Sequence, residues 1–270
     1  MSVYATGTSG TIGKHLRDKV QDLVIDLSDK IISIPQKIFH GQDSVIHLAG
    51  IVGEKSVESN LRLSYRVNVE STAELGQQLR KTAIKKIVYV STSHVYESSD
   101  RPLSEIDSVL PKSVYASQKR DAEIALADIF SGAPERLCIA RVFSVLDWDV
   151  APFTLGGGIA KLLDYNSDFV LSNGGDVRDF LTPKTVAGTL LGISQAEDLH
   201  GVVNVCSGIG ISVKDAALTM LQRVSSSNFE SRIDPGLSKT PYLVGDNSKL
   251  RLEVPHLDLS WVPSASVTEW

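Results

Sequence analysis

Val3-Tyr4-Ala5-Thr6-Gly7-Thr8-Ser9-Gly10-Thr11-Ile12-Gly13 opens the chain with a short apolar run, glycines three residues apart, and then a stretch read as a helix. Each glycine has its own task at such a corner. Gly7 permits a tight turn, Gly10 lets the backbone approach a pyrophosphate with no Cβ in the way, and Gly13 lets the helix pack closely on the strand. Thr11 and Ile12 then stand at the helix N-terminus, which faces the anion. Any strand-turn-helix corner can use glycines, so the surrounding sequence has to decide.

Outward from this corner, apolar runs of strand length alternate with segments of helical period, the pattern of strand-helix-strand units around a parallel sheet. Strands are read at residues 2–5, 23–26, 44–48, 86–91 and 137–142, where aliphatic and β-branched residues are bounded by polar residues or glycine. Leu63, Val67, Leu75 and Leu79 recur at helical spacing and place a helix at residues 64–82; a second falls at 117–130. From about residue 144 the alternation loosens. Residues 1–143 are therefore read as a first α/β domain to which some later segments return, and 144–270 mainly as a smaller lobe. That lobe carries helices at 183–197 and 213–224 and a strand at 202–205. Gly156, Gly157 and Gly158 follow no apolar strand and read as a loop entering a helix.

A chain of 270 residues with 42% hydrophobic and 22% charged residues is ordinary globular composition, enough for one large core and a lobe. Cys138 and Cys206 lie far apart in apolar stretches, which fits buried thiols in a reducing compartment rather than a disulfide or metal site. The first residues lack a basic-then-apolar leader, and nowhere do about eighteen uncharged apolar residues run together. The expectation is a cytoplasmic protein with no membrane span. A net charge of -5 without a Lys/Arg cluster disfavours nucleic acid as a partner. His15 and His47 have no metal-ligand spacing; His15 reads as exposed and His47 as satisfied locally at a strand end, so no metal is expected. Trp148, Trp261 and Trp270 line the lobe or an interface, and the sequence does not choose.

Two further features carry chemistry. Asp26 ends the second strand, where a carboxylate is placed to accept both hydroxyls of an adenosine ribose and would repel a 2′-phosphate, favouring NAD over NADP; the other reading is a solvent-facing loop acid. Tyr115 and Lys119 stand four residues apart at the opening of a helix, on one face. A phenol with a reference pKa of about 10 is a poor base, and a nearby ammonium favours the phenolate. Upstream, Ser91-Thr92-Ser93-His94-Val95-Tyr96 puts hydroxyls at the carboxyl end of a parallel strand, and Thr92 is placed to bond the oxygen that Tyr115 protonates.

The glycine loop, Val45-Ile46-His47-Leu48-Ala49-Gly50, the Ser91-to-Tyr96 stretch and the Tyr115/Lys119 pair resemble, in order and spacing, the NAD-dependent epimerase/dehydratase family of extended short-chain dehydrogenases. Asn68, Glu105, Arg141, Arg178-Asp179-Phe180 and Asn204-Val205 extend the resemblance over nearly the whole chain. It implies a Rossmann-like doubly wound parallel sheet that binds NAD or NADP, and a C-terminal lobe closing over a nucleotide sugar. By position, Thr92 matches the Ser/Thr that binds the reacting oxygen, Tyr115 the acid/base and Lys119 the ribose-binding lysine. Leu48, Ala49 and Gly50 match the backbone lining the cofactor cleft, and Asn68 matches an asparagine on the next helix. Arg178 resembles an arginine that contacts the substrate diphosphate. The resemblance also implies a homodimer through helices flanking Tyr115.

Departures bear on the reaction. Family dehydratases carry Asp-Glu directly after the Ser/Thr, where this chain has Ser93 and His94, so dehydration is disfavoured. His94 stands where some family members place a cysteine acid/base, and reads either as an acid/base or as a passive pocket wall. Ser144 replaces a substrate-contacting asparagine, and the second crossover is short. The reading is an epimerase or 4-ketoreductase, an isomerase or oxidoreductase acting by hydride transfer; the alternative is a dinucleotide-sensing binding protein without turnover.

Overall fold

Four aliphatic runs form strands buried along their whole length: β1 (Val3–Thr6), β3 (Ser44–His47), β4 (Lys86–Thr92) and β5 (Leu137–Val142), with the short β2 (Gln21–Asp22) between the first two in the chain. The computed structural model describes residues 2–22, 41, 43–148, 150, 154–164, 167–238 and 240–264. Asp26 and the strand expected at 23–26 lie outside the described residues, as does Trp270. The helices over this part of the chain are α1 (Glu54–Ser59), α2 (Leu61–Tyr65), α3 (Ser71–Arg80) and α4 (Val114–Ile129). There follow β6 (Ser144–Val145), α5 (Leu155–Lys161), β7 (Val177–Leu181), α6 (Pro183–Gln195), β8 (Gly201–Val205), β9 (Gly210–Ser212), α7 (Val213–Gln222), β10 (Tyr242–Leu243) and α8 (Ser248–Glu253).

The main sheet runs β2-β1-β3-β4-β5-β8, every neighbouring pair parallel. β2 and β3 flank β1 on opposite sides, so the winding reverses there and opens a crevice at the carboxyl ends of β1 and β3. One face is covered by α3 and α4, whose Leu75, Leu79, Leu126 and Phe130 pack on Tyr4, Val45, Ile87 and Ile139. On the other face, Val186, Leu190 and Ile193 of α6 and Leu250 of α8 pack on Val3, Ile46, Val88, Ala140 and Val203. A second sheet, β10-β7-β6 with β9 antiparallel on β7, encloses a separate core with α5 and α7. Among the described residues after 143, α6, β8 and α8 complete the first sheet's layers, and β6, β7, β9, β10, α5 and α7 build the second.

Several elements differ from the sequence reading. No long helix follows the glycine loop. The chain makes only a 3-10 turn, Gly13–His15, because it must return beside Tyr4 at Gln21. The helix expected at 64–82 begins at Leu61, where the Asn60 side chain accepts the Leu63 amide at 3.0 Å, and a π turn at Arg66–Glu70 interrupts it. That turn shifts the register so that Val67, Asn68 and Val69 are all buried. α4 starts three residues before the expected 117, capped by Ser113. Gly156, Gly157 and Gly158 lie inside α5 rather than in a loop before it.

Candidate active site

At the head of the crevice, Gly7 takes a left-handed backbone (φ 72°), and a Cβ there would stand 2.7 Å from the Ala49 amide. Gly13 is tighter still, since its Cβ would meet the Gly7 carbonyl at 2.2 Å. Both glycines serve the protein's own packing. Gly10 is different: it is exposed, and a Cβ on it would meet only the Gly7 carbonyl, at 3.4 Å. The Thr11 and Ile12 amides donate to no protein oxygen among the described residues. Open space above Gly10 with unpaired amides beside it fits an anionic pyrophosphate. The helix whose dipole the sequence reading placed behind this loop is only the 3-10 turn Gly13–His15, so these few amides are what the corner offers.

The second wall is the end of β3. His47 is buried, with Nδ1 2.7 Å from Thr6 Oγ1 and Nε2 3.0 Å from Thr72 Oγ1. Its partners are therefore on β1 and α3, not local. Thr6 Oγ1 also accepts the Ala49 amide at 3.2 Å, which ties the two loops together. Leu48 and Ala49 are half-buried and Gly50 is exposed along the crevice. Asn68 is buried: its Oδ1 accepts the Ile51 amide (2.8 Å), and its Nδ2 donates to the Ile51 carbonyl (3.0 Å) and Gln118 Oε1 (2.9 Å). Asn68 shapes the loop after Gly50, and its own polar atoms are occupied.

Thr92 ends β4 at the carboxyl edge of the sheet, and its Oγ1 accepts the His94 amide at 3.3 Å, which leaves the hydroxyl hydrogen for another acceptor. Tyr115 is in the first turn of α4, with Lys119 one turn on. The Lys119 ammonium lies 4.3 Å from the centre of the ring of Tyr89, three residues before Thr92. Burial draws the Lys119 ammonium down to about 7 and pushes the Tyr115 phenol up to about 12. The expectation that lysine would bring the phenol toward neutrality is corrected: desolvation wins, and Tyr115 is a protonated phenol in this state.

On the far side of the cleft, His94 is exposed to water yet surrounded by protein. That desolvation, with the Arg178 cation, lowers its imidazole, while Glu54 acts the other way. Arg178 on β7 donates to Asp176 Oδ2 (2.7 Å), the Val177 carbonyl and Ser238 Oγ. Ser144 on β6 is half-buried and paired in register with Phe180 of β7. Ser93 is closed off from solvent, and its hydroxyl has no partner among the described residues. Sequence reasoning missed Tyr89 and Glu123. Tyr89 looked like one more apolar strand residue. Glu123, one turn beyond Lys119, is fully buried and bonded to Ser91, Arg120 and Arg141. A charged residue at helical spacing from a buried lysine was the available signal.

A doubly wound parallel sheet with a tyrosine and lysine one turn apart beside its switch-point crevice is the architecture of the extended short-chain dehydrogenases. Residues 24–206 match the model of the NAD dependent epimerase/dehydratase family, and the chain belongs to that family. The match begins beyond the glycine loop, whose reading rests on its own geometry. The UDP-glucose 4-epimerase of Yersinia enterocolitica is 25% identical over 327 aligned positions, covering 100% of this chain and 95% of that protein. Human dTDP-D-glucose 4,6-dehydratase is 25% identical over 170 positions, 62% of this chain and 49% of that protein. Among solved structures, UDP-glucuronic acid 4-epimerase from Bacillus cereus in complex with UDP-glucuronic acid and NAD superposes with a TM-score of 0.79 at 19% identity, covering 98% of this chain and 95% of that one. Identity at that level shows the fold. Among the described residues no helix is long and apolar enough to cross a membrane, and no group of three or more His, Cys, Asp or Glu is placed to hold a metal ion.

Proposed function

We propose that this chain carries out NAD(P)-dependent hydride transfer at a hydroxyl or keto carbon of a nucleotide sugar, as an epimerase or 4-ketoreductase. The observation that carries this is the buried Lys119 ammonium over the Tyr89 ring, one helical turn from Tyr115, at the strand that ends in Thr92 and beside a crevice open at Gly10. The residues that would hold the dinucleotide are Gly7, Gly10, Thr11, Ile12 and Gly13 at its phosphates, Leu48, Ala49 and Gly50 along the wall, and Tyr115 and Lys119 at the reacting end. When bound, it supplies the hydride acceptor or donor.

The chain's own residues handle the proton. Thr92 donates its free hydroxyl hydrogen to the substrate oxygen and holds that carbon in register. Tyr115, protonated in this state, gives its proton to the same oxygen as a carbonyl becomes an alcohol, and takes it back in the reverse direction. His94 and Ser144 line the sugar side, Ser93 packs beneath it, and Arg178, already oriented by Asp176, faces the diphosphate. The second sheet is the substrate lobe in this reading. Ser93 and His94, in place of an acidic pair, favour epimerase or reductase over dehydratase. The exposed Leu61, Leu63 and Ile124 leave apolar surface on the α2 and α4 faces for a second copy.

Denaturing the purified protein and identifying any released dinucleotide by mass spectrometry tests the reading. Near-stoichiometric NAD supports an epimerase that keeps its cofactor; reversible filling by NADH or NADPH supports a reductase; no dinucleotide binding rejects the proposal. With a UDP-hexose as substrate, Tyr115→Phe is expected to lower turnover by about 10²–10⁴-fold while dinucleotide affinity is kept. Full turnover in that variant overturns the proton-transfer role.

A further inference from the structure

α4 buries two opposite charges one turn apart, Lys119 and Glu123, and the surroundings of the two differ sharply. The carboxylate is held on every side: Ser91 Oγ donates to Oε1 at 2.6 Å, Arg141 donates to both oxygens at 3.0 and 2.8 Å, and Arg120 donates to Oε2 at 2.8 Å. Arg141 is itself buried and stacks on Tyr96, 4.6 Å from the ring centre, while the Tyr96 hydroxyl is taken by Asn204. Around the Lys119 ammonium the described residues place the Tyr89 ring from β4, the neutral His47 from β3 and Glu123. Glu123 is the carboxylate that acts on it.

We propose that Glu123 is a positioning residue of the active site: one buried carboxylate, clamped by Arg141, Arg120 and Ser91, that balances and orients the buried Lys119 ammonium one turn before it on α4. The reading rests on the function proposed above. Its logic is a charge count within one buried cluster. Arg120, Arg141 and Lys119 are three cations and Glu123 is one anion. Guanidinium does not release its proton in proteins, so lysine is the cation that yields when the anion is lost. Replacing the carboxylate alone strands the buried Arg141 whatever its role, so stability does not separate a positioning role from a packing one and the Lys119 titration does. Here its removal turns a cation that orders a ribose and a phenol into an amine that does neither well. Burial already draws Lys119 toward neutrality, and Glu123 opposes it.

The test is a titration of the Lys119 side chain by NMR in the full-length chain with labelled lysine, its signal identified by its loss in Lys119→Met. Glu123→Gln is expected to move the Lys119 midpoint down by about one pH unit or more. Arg120→Gln, which removes a partly exposed cation from the same carboxylate, is expected to move it up. A folded Glu123→Gln protein with the wild-type midpoint overturns the proposal. If that variant does not fold, Arg120→Gln decides alone, and a midpoint unchanged or lowered there overturns it. NAD+ binding to the wild type is measured in parallel by calorimetry. If no NAD+ binds but the midpoints move as stated, the functional reading fails and the coupling of Glu123 to Lys119 stands; if NAD+ binds and the midpoints stay, only the proposal fails.

Discussion

His47 shows how one residue was readable in kind but not in partners. Its place at the end of an apolar run marked it as buried, and the hydroxyls that satisfy it come from residues 6 and 72. Burial first, then the Lys119 cation, draws its imidazole down to about 3. The folded chain therefore keeps it neutral while the unfolded chain, near 6.5, takes up a proton, so stability is lost as pH falls from about 6.5 toward 3. Between pH 7 and 5.5 the urea midpoint is expected to drop by the equivalent of about 1 kcal/mol, and His47→Gln to show a flatter dependence. An equal slope in that variant would place the loss elsewhere. Tyr115 and Lys119 stand out in the sequence because they are four residues apart on one helix, and their roles with Thr92 belong to the proposed function. The direction of the Tyr115 shift was not legible, because desolvation depends on what the fold packs around the phenol.

At the scale of elements, the glycine loop divides into positions that serve the fold and one, Gly10, that the protein's own packing leaves open. Gly13→Ala puts a Cβ 2.2 Å from the Gly7 carbonyl and is expected to lower thermal stability by several degrees. Gly10→Ala meets only one atom at ordinary range, so its melting temperature is expected to stay near that of the wild type while NAD+ affinity, measured by calorimetry, falls at least about tenfold. Equal affinity in both proteins would remove Gly10 from the phosphate site. The strands read at 2–5, 44–48, 86–91, 137–142 and 202–205 fall within a residue of β1, β3, β4, β5 and β8 because alternation and β-branching are local, whereas β6, β7, β9 and β10 of the second sheet carried no such pattern and were not read. The π turn at Arg66–Glu70 was not read either, since it resolves a packing demand: Asn68 has to reach Ile51 and Gln118 from the same helix that buries Leu75 and Leu79.

Across the whole molecule, Asp179 stitches the two sheets. Fully buried on β7, it accepts from the Ser207 amide and hydroxyl, the Gly208 amide and the Gly245 amide, at 2.7, 2.7, 2.9 and 3.3 Å. Asp179→Ala strands these donors and is expected to cost about 3 kcal/mol or more in chemical denaturation, with the second sheet opening at lower urea than the first. A single unshifted transition would show that the link carries no stability. The local order of residues determined the alternation of strands and helices around a parallel sheet, the glycine turn and the Tyr115/Lys119 spacing, because each follows from periodicity or from a residue's own backbone and chemistry. Tertiary structure alone decided that Glu123 shares one buried cluster with Arg141, Ser91 and Lys119, that the helix after the glycine loop shrinks to one turn, and that Asp179 joins the layers. Those depend on contacts between residues tens of positions apart, where burial and charge balance are set by packing rather than by neighbours in the chain.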